Sequence, residues 1–269
     1  MKDDPGGGAL HLMTCVAQEV GAQLLDRFET VKSIPRTEKT AGDFVSDADL
    51  TAERMIRDRL QGAHPGIGWL GEETGASGDP NGLRWIVDPL DGTTNFLHGL
   101  PHWGVSIALA QGDRVIAGVV HDPFKSETFT AGAGTGAHLN GAPIWVSRDV
   151  PLSHALLATG VPAGGRVTYL SHSMRDIEGL MPDCAGIRRW GAATLDLAYV
   201  AAGRIDAYWE RNLGPWDVAA GLLLVTEAGG DVRPLWPGQS VLETGSFLAS
   251  NADLGPLLAS RLCDLRDSA

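Results

Sequence analysis

The sequence predicts a layered α/β (α+β) fold in which helices and strands alternate irregularly. Stretches with apolar residues at about four-residue intervals, typical of amphipathic helices, open the chain and return in its second half. Between them, short apolar runs end at glycine and other turn residues, which is typical of strands. No internal repeat and no regular strand-helix alternation is visible, so a repeat protein or a regular doubly wound sheet is not favoured.

The N-terminal part of the chain is predicted to be helical. An apolar residue occupies every fourth position of one stripe: Leu12, Val16, Val20, Leu24 and Phe28. This spacing predicts a first helix over Leu10–Phe28. Pro35 and Gly42 interrupt the pattern, and helical spacing resumes in a second predicted helix over Asp49–Leu60.

Short apolar runs bounded by turn residues then predict four strands: Gly68–Gly71, Leu83–Asp88, Val105–Gln111 and Val115–His121. A Gly-Asp pair separates the last two, which predicts a hairpin. Strand-like sequence continues from Thr128 to Val146, where the pair Asn140-Gly141 favours a two-residue turn.

The second half of the chain mixes one predicted strand with three helices. The strand covers Ala155–Thr159, and the helices cover Leu170–Gly179, Ala193–Ala202 and Val218–Glu227, the last of which ends at a Gly-Gly pair. Proline and glycine mark residues 151–165. We therefore predict one unit over residues 1–269, with an N-terminal half at 9–150 and a C-terminal half at 151–265.

Composition and charge disfavour several classes of function. The chain has 21 basic and 33 acidic residues and a net charge of −12, which repels nucleic acid and anionic membranes. Its cysteines, Cys15, Cys184 and Cys263, show no CxxC spacing, which favours a reducing compartment. The sequence lacks a signal-peptide pattern and an apolar stretch of about 18 residues. We expect a cytoplasmic protein that binds neither nucleic acid nor membrane.

The most informative segment is an apolar strand that ends abruptly in two acids. Asp88 and Asp91 lie three residues apart, with Pro89 stiffening the path, so both can face one pocket. Hard cations such as Mg²⁺ prefer carboxylate oxygens. A helix that begins near Thr93 would present free backbone N–H groups to an anion such as phosphate. The same residues also make an ordinary turn and helix cap, so this segment alone leaves both interpretations open.

Two other acids stand in similarly abrupt settings. Glu72 follows an apolar run that ends at Leu70, and Asp217 follows Trp216 at the start of a predicted helix. Asp217 alone could be an ordinary helix cap. The sequence contains no GxGxxG loop, no HExxH zinc motif and no GxSxG elbow, so nucleotide-loop, zinc and serine-nucleophile chemistry are not favoured.

Together these segments resemble the inositol monophosphatase family of lithium-sensitive, magnesium-dependent phosphatases, and in particular its bacterial inositol-1-monophosphatases. The resemblance extends from about residue 10 to residue 253 and rests on three motifs: Gly71-Glu72-Glu73, Asp88-Pro89-Leu90-Asp91-Gly92-Thr93-Thr94-Asn95-Phe96 and Trp216-Asp217-Val218-Ala219-Ala220-Gly221. It implies a layered αβαβα sandwich of the inositol monophosphatase and fructose-1,6-bisphosphatase type. It also implies a metal site where the two halves meet, and a homodimer.

The resemblance assigns the metal ligands. Two to three Mg²⁺ ions are implied, held by Glu72, Asp88, the backbone carbonyl of Leu90, Asp91 and Asp217. Such ions can neutralise phosphate oxygens and activate a water molecule for in-line attack.

The resemblance also assigns catalytic residues. Thr93 is implied to orient or deprotonate the attacking water, with Asp49 accepting the threonine proton. Glu72 contributes through its metal, and Lys39 is implied to lie near the water. On the residues alone, Asp49 could equally cap the second helix and Lys39 could be an exposed loop residue.

Gly92, Thr93, Ala193, Glu210 and Asp217 correspond to the family's substrate-binding positions. The implied reaction is hydrolysis of an inositol monophosphate to inositol and phosphate. Because a carboxylate at Glu210 could bind hydroxyls or an amine, histidinol phosphate is the main alternative substrate, followed by fructose 1,6-bisphosphate and NADP. A non-catalytic regulatory or binding protein on the same fold is the alternative from a different class.

Overall fold

The computed structural model describes residues 5–29, 36–38, 44–162 and 168–267. Its helices are α1 (Pro5–Phe28), α2 (Asp47–Ala63), α3 (Thr93–Leu97), α4 (Leu170–Leu180), α5 (Ala193–Ala201), α6 (Pro215–Glu227), α7 (Val241–Thr244) and α8 (Gly255–Asp267). Its strands are β1 (Arg36–Glu38), β2 (Phe44–Ser46), β3 (Gly68–Gly71), β4 (Gly75–Ser77), β5 (Leu83–Asp91), β6 (Gly104–Gln111), β7 (Arg114–Asp122), β8 (Glu127–Gly132), β9 (Gly136–Leu139), β10 (Ala142–Ile144), β11 (Leu156–Thr159), β12 (Gly186–Arg188), β13 (Ala207–Glu210), β14 (Asp231–Pro234) and β15 (Phe247–Ser250).

Two large sheets organise the fold. The first has eight strands in the order β10-β9-β8-β7-β6-β5-β3-β4, antiparallel except where β3 lies parallel to β5. The second has five strands in the order β12-β11-β13-β15-β14, and β11 is parallel to both of its neighbours. The short strands β1 and β2 pair with each other.

The buried residues show a layered αβαβα sandwich. Helices α1 and α2 cover one face of the eight-stranded sheet with residues such as Val16 and Ile56, which pack on Val87 and Ile107. Helices α5 and α6 fill the space between the two sheets. Leu180 of α4 and Leu258 of α8 cover the outer face of the five-stranded sheet. The predicted fold class is confirmed.

Most predicted elements are present with shifted ends. Helix α1 begins at Pro5, before the predicted Leu10. Helix α2 (Asp47–Ala63) extends beyond both ends of the predicted Asp49–Leu60. The hairpin of β6 and β7 is confirmed, and Asn140 and Gly141 both have positive φ (49° and 81°), as a two-residue hairpin turn requires. Strands β13 and β15, which form the centre of the second sheet, were not predicted, because each has four residues and no alternating pattern.

None of the helices in the described ranges is long and apolar enough to cross a membrane.

Candidate active site

The site begins at an irregularity near the end of β5. Strand β5 continues past the predicted end at Asp88 to Asp91, and its pairing with β6 shifts register between these two residues. Pro89 has no N–H for the ladder, so it fits at such a bulge. The backbone N–H of Leu90 donates to Asp88 Oδ1 (3.0 Å), which holds that carboxylate inward. The bulge thus places both acids at one end of the strand.

Gly92 turns the chain from β5 into helix α3. Its φ is +88°, in the left-handed region, and a Cβ atom there would lie 3.1 Å from the His102 carbonyl oxygen. A larger residue is therefore unfavourable at this position. Thr93 is the first residue of α3, as predicted, and its Oγ1 donates to the Leu90 carbonyl (3.0 Å).

Asp217 reaches the site from the first turn of α6. The helix begins at Pro215, earlier than the predicted Val218, so Asp217 is its third residue and not a residue before it. The N–H of Gly214 donates to Asp217 Oδ2 (2.6 Å), an arrangement that satisfies an N–H group at the helix start. The same carboxylate is thus both fixed by the helix and directed towards β5.

Asp88, Asp91 and Asp217 form a compact group in which one oxygen of each lies within 4.8 Å of the others. Burial raises the pKa of Asp88 and of Asp217 well above the usual value, and the neighbouring charges of Glu72 and Asp91 raise both further. Burial also raises the pKa of Asp91 to about 6, although hydrogen bonds from Thr194 oppose the shift. Carboxylates that repel one another in a buried place are suited to a divalent cation with oxygen ligands.

Glu72 and Asp49 lie close to this group. Glu72 is exposed at the mouth of the site, where its backbone N–H donates to the Val87 carbonyl (3.1 Å). Asp49 is buried at the start of α2, and its charge contributes to the raised pKa of Asp88. Both predicted residues are therefore placed beside the three carboxylates, Glu72 on the solvent side.

A cavity of about 990 Å³ opens over the carboxylates. The predicted metal ligands line it, and so do the predicted substrate-binding residues Gly92, Thr93, Ala193 and Glu210. Thr159 and Gly160 form part of its wall. Lys39 lies outside the described residues.

The start of α5 holds Asp91 in place. Thr194 donates to Asp91 Oδ2 both from its backbone N–H (2.7 Å) and from its Oγ1 (2.6 Å). Ala193, whose backbone also forms a hydrogen bond with Asp91, therefore lies against the three carboxylates as well as against the cavity.

Glu210, at the end of β13, lies on the far side of the cavity. The Tyr208 hydroxyl donates to Glu210 Oε2, and a Cβ atom on Gly160 would overlap the Glu210 carboxylate. The Glu210 carboxylate therefore fits in this position because residue 160 is glycine. The charge of Glu210 also raises the pKa of Asp217, so the two acids face the same space.

The roles of Thr194, Asp196 and Tyr208 in the site were not predicted. Asp196 had a signal in the sequence, because it is the one charged residue of the apolar segment Ala193–Ala201. Thr194 and Tyr208 act through contacts between distant segments, which periodicity does not indicate. The glycine-rich segment 132–136 forms the turn between β8 and β9, with the Gly134 and Gly136 N–H groups donating to Glu227.

Comparisons with known proteins agree with this geometry. Residues 10–267 match the model of the "Inositol monophosphatase family". The chain is 44% identical over 250 residues to an inositol-1-monophosphatase of Rhizobium meliloti, covering 93% of this chain and 94% of that protein. It is also 44% identical over 246 residues to the Nus factor SuhB of Pseudomonas aeruginosa, covering 90% and 91%.

Among solved structures, the extragenic suppressor protein suhB of Bartonella henselae is similar with a TM-score of 0.90 and 39% identity, over 95% of this chain and 98% of that one. A family match over nearly the whole chain, relatives of this identity and the shared fold lead to one conclusion. The chain belongs to the inositol monophosphatase family, whose members are phosphoric monoester hydrolases.

Proposed function

We propose that this enzyme is a Mg²⁺-dependent phosphatase that hydrolyses an inositol monophosphate to inositol and phosphate. The observation that carries the proposal is the group of three carboxylates, two buried and one half-buried, with oxygens within 4.8 Å of one another, in the wall of a large cavity. Relatives that are 44% identical carry the name inositol-1-monophosphatase, which supports the choice of substrate.

The residues present suit Mg²⁺. All candidate ligands are oxygens. Burial raises the pKa of Asp88, Asp91 and Asp217, and a divalent cation would favour their ionised forms. We propose that these three hold two to three ions together with Glu72 and the Leu90 carbonyl. When bound, the ions would supply positive charge to the phosphate oxygens and lower the pKa of water.

The chain's own residues would then position the reactants. We propose that Thr93 orients the attacking water through its hydroxyl, which in the structure donates to the Leu90 carbonyl. When that carbonyl holds a metal ion, the hydroxyl would give its proton instead to Asp49, which is buried beside Asp88. Lys39 is proposed to lie near that water, and the N–H groups of Gly92 and Thr93 to bind the phosphate.

The alcohol part of the substrate would lie between Ala193 and Glu210, on the side of Asp217 that faces Glu210. A carboxylate in that position accepts hydrogen bonds from ring hydroxyls. It would also accept them from an ammonium group, which keeps histidinol phosphate as the alternative substrate, followed by fructose 1,6-bisphosphate and NADP.

The test is phosphate release from each of these compounds with and without Mg²⁺. The proposal predicts Mg²⁺-dependent release with a preference for inositol 1-phosphate of at least about tenfold in kcat/KM. An Asp91→Asn variant should lose this activity, and Li⁺ added to the same assay tests the lithium sensitivity that the family resemblance implies. Release from none of the compounds would contradict the proposal.

A Glu210→Gln variant separates a polyol from an amine substrate. Removing the charge should weaken an ammonium contact more than a hydroxyl contact, because the former is charge-assisted at both ends. If inositol 1-phosphate is the substrate, its KM should rise only a few-fold in the variant. A rise of tenfold or more in the KM for histidinol phosphate would favour the amine substrate.

A second candidate function is that of a Nus factor. The favouring observation is the 44% identity to a Nus factor SuhB. The net charge of −12 disfavours direct contact with nucleic acid, so we propose that this role uses contact with protein. Complementation of an Escherichia coli strain that lacks SuhB, by the wild type and by Asp91→Asn, would separate this role from hydrolysis.

We also propose a cytoplasmic homodimer that binds no membrane. The family resemblance supports the dimer, and the cysteine usage supports the compartment. Light scattering on the purified chain would measure the oligomeric state.

A further inference from the structure

Asp196 is a buried acid that the proposed hydrolysis has not used. It lies in α5, a helix in which every residue is buried, and is 2% exposed. Its Oδ1 has no hydrogen-bond partner among the described residues, although the side chain lines the cavity. A buried carboxylate oxygen without a partner costs free energy, so a native protein keeps one where a ligand satisfies it.

The neighbours of Asp196 show which part of the cavity it faces. Besides burial, the charges of Glu210 and then Asp91 raise the pKa of Asp196, while Arg189 opposes the shift. Asp196 and Glu210 also both raise the pKa of the Tyr208 hydroxyl. Asp196 therefore lines the same cavity as Asp91 and Glu210 and is close enough for both charges to act on it, on the side where the alcohol part of a bound substrate would be.

Negative charges predominate in the part of the cavity wall that contains Asp196 and Glu210. Seven carboxylates line the cavity, and five of them are at or next to the proposed metal site, which leaves Asp196 and Glu210. The described wall contains two arginines. Arg211 is committed to a buried ion pair with Asp176, and Arg189 is exposed and donates to the Val161 carbonyl (3.3 Å).

We propose that Asp196 and Glu210 together form the subsite for the alcohol part of the substrate and that Asp196 selects against substrates with a second phosphate. The hydroxyl groups of a polyol would donate to the two acids. A second phosphate in the same place would be repelled by the two acids in their ionised forms. This inference rests on the proposed function and adds one residue to it: Asp196, as a second acid of the alcohol subsite that acts on substrate selectivity.

The test compares wild type, Asp196→Asn and a control, Asp206→Asn. Asn retains the shape of Asp and removes its charge. Asp206 is also a buried acid, but it accepts from the Leu156 N–H (2.7 Å) and does not line the cavity. The ligands are inositol 1-phosphate, fructose 1,6-bisphosphate and p-nitrophenyl phosphate, whose leaving group has no additional hydroxyl.

Dissociation constants are measured by calorimetry with Ca²⁺ in place of Mg²⁺, and kcat/KM is measured with Mg²⁺. In Asp196→Asn we expect binding of inositol 1-phosphate to weaken relative to p-nitrophenyl phosphate. The preference for inositol 1-phosphate over fructose 1,6-bisphosphate should fall at least about tenfold, the size of one charged contact. Asp206→Asn should leave both ratios within about twofold of wild type.

The role of Asp196 would be overturned if both ratios in Asp196→Asn stayed within twofold of wild type. It would also be overturned if they changed by the same factor in Asp206→Asn. A wild type that binds the ligands with the expected preference but releases no phosphate would count against the proposed hydrolysis alone, because the binding ratios do not depend on turnover.

Discussion

Thr194 donates two hydrogen bonds to a single oxygen of Asp91, one from its backbone N–H and one from its hydroxyl. Asp91 ends a strand of the eight-stranded sheet, whereas Thr194 lies in the first turn of α5, 103 residues later in the chain. The contact therefore fixes how the middle helical layer meets the first sheet. It also leaves the other oxygen of Asp91 to face the neighbouring carboxylates.

Removing the Thr194 hydroxyl should weaken metal binding. Residues that orient a metal ligand typically contribute a factor of about 10 to 100 in affinity. We expect Thr194→Val to raise the Mg²⁺ dissociation constant at least about tenfold, while Thr194→Ser, which keeps the hydroxyl, stays close to wild type. Calorimetric titration with Mg²⁺ measures both, and equal affinities in the two variants would show that the backbone N–H alone positions Asp91.

The stability of the metal-free protein should depend on pH through Asp91. Burial raises the pKa of Asp91 from 3.8 to about 6, so the folded state holds this proton more tightly than the unfolded state. The resulting stabilisation is fully present below pH 3.8 and is lost as pH rises through about 6. The shift of 6 − 3.8 corresponds to about 3 kcal/mol.

An Asp91→Asn variant removes this effect, together with the part of the raised pKa of Asp88 and of Asp217 that the Asp91 charge causes. Without Mg²⁺, the variant should gain stability relative to wild type as pH rises from 4 to 7. With saturating Mg²⁺ the order should reverse, since the ion binds the ionised carboxylate and stabilises the wild type. Thermal unfolding over this pH range measures the difference, and parallel curves for the two proteins would contradict the assignment.

The parts of the site that could be predicted are those built from adjacent residues. Asp88, Asp91 and Thr93 stand in one short segment whose change from apolar to acidic marks the end of a strand, and the structure brings them together there. Asp217 was predicted from a similar local pattern. The burial of α5, the helix with Asp196, could not be predicted. It depends on two sheets that enclose the helix, and the strand order of those sheets has no local signal in the sequence.

Gly160 shows the same limit of sequence analysis. Its importance comes from Glu210, 50 residues later, which occupies the space where a Cβ would be. Spacing along the chain contains no information about such a contact, because it exists only once β11 and β13 pair.

Gly160→Ala should therefore displace the Glu210 carboxylate. We expect KM for inositol 1-phosphate to rise about tenfold, with a smaller change for p-nitrophenyl phosphate, whose leaving group needs no such acceptor. Gly62→Ala is the matched control: Gly62 is an exposed residue of α2 with nothing within 4 Å of a new Cβ. That control should stabilise the protein by about 0.5 kcal/mol and leave the kinetics unchanged. Equal KM values for wild type and Gly160→Ala would show that Glu210 does not contact the substrate.

The ion pair of Asp176 and Arg211 should couple the outer helical layer to the cavity wall. Both side chains are less than 5% exposed, and Asp176 Oδ2 also accepts from Trp209 Nε1 (3.0 Å). Asp176 belongs to α4, whereas Arg211 directly follows Glu210 at the end of β13. Neutralising one partner alone leaves a buried charge without its counterion.

We expect Asp176→Asn to destabilise the protein by about 3–5 kcal/mol, because it leaves the Arg211 charge buried and unpaired while Asn still offers an acceptor to Trp209. Arg211→Met should also destabilise it. The double variant contains neither charge, so it should lose at least about 2 kcal/mol less than the sum of the two single changes. Denaturant unfolding of the four proteins measures this coupling. If the two losses simply add, the ion pair contributes no coupling between α4 and the end of β13.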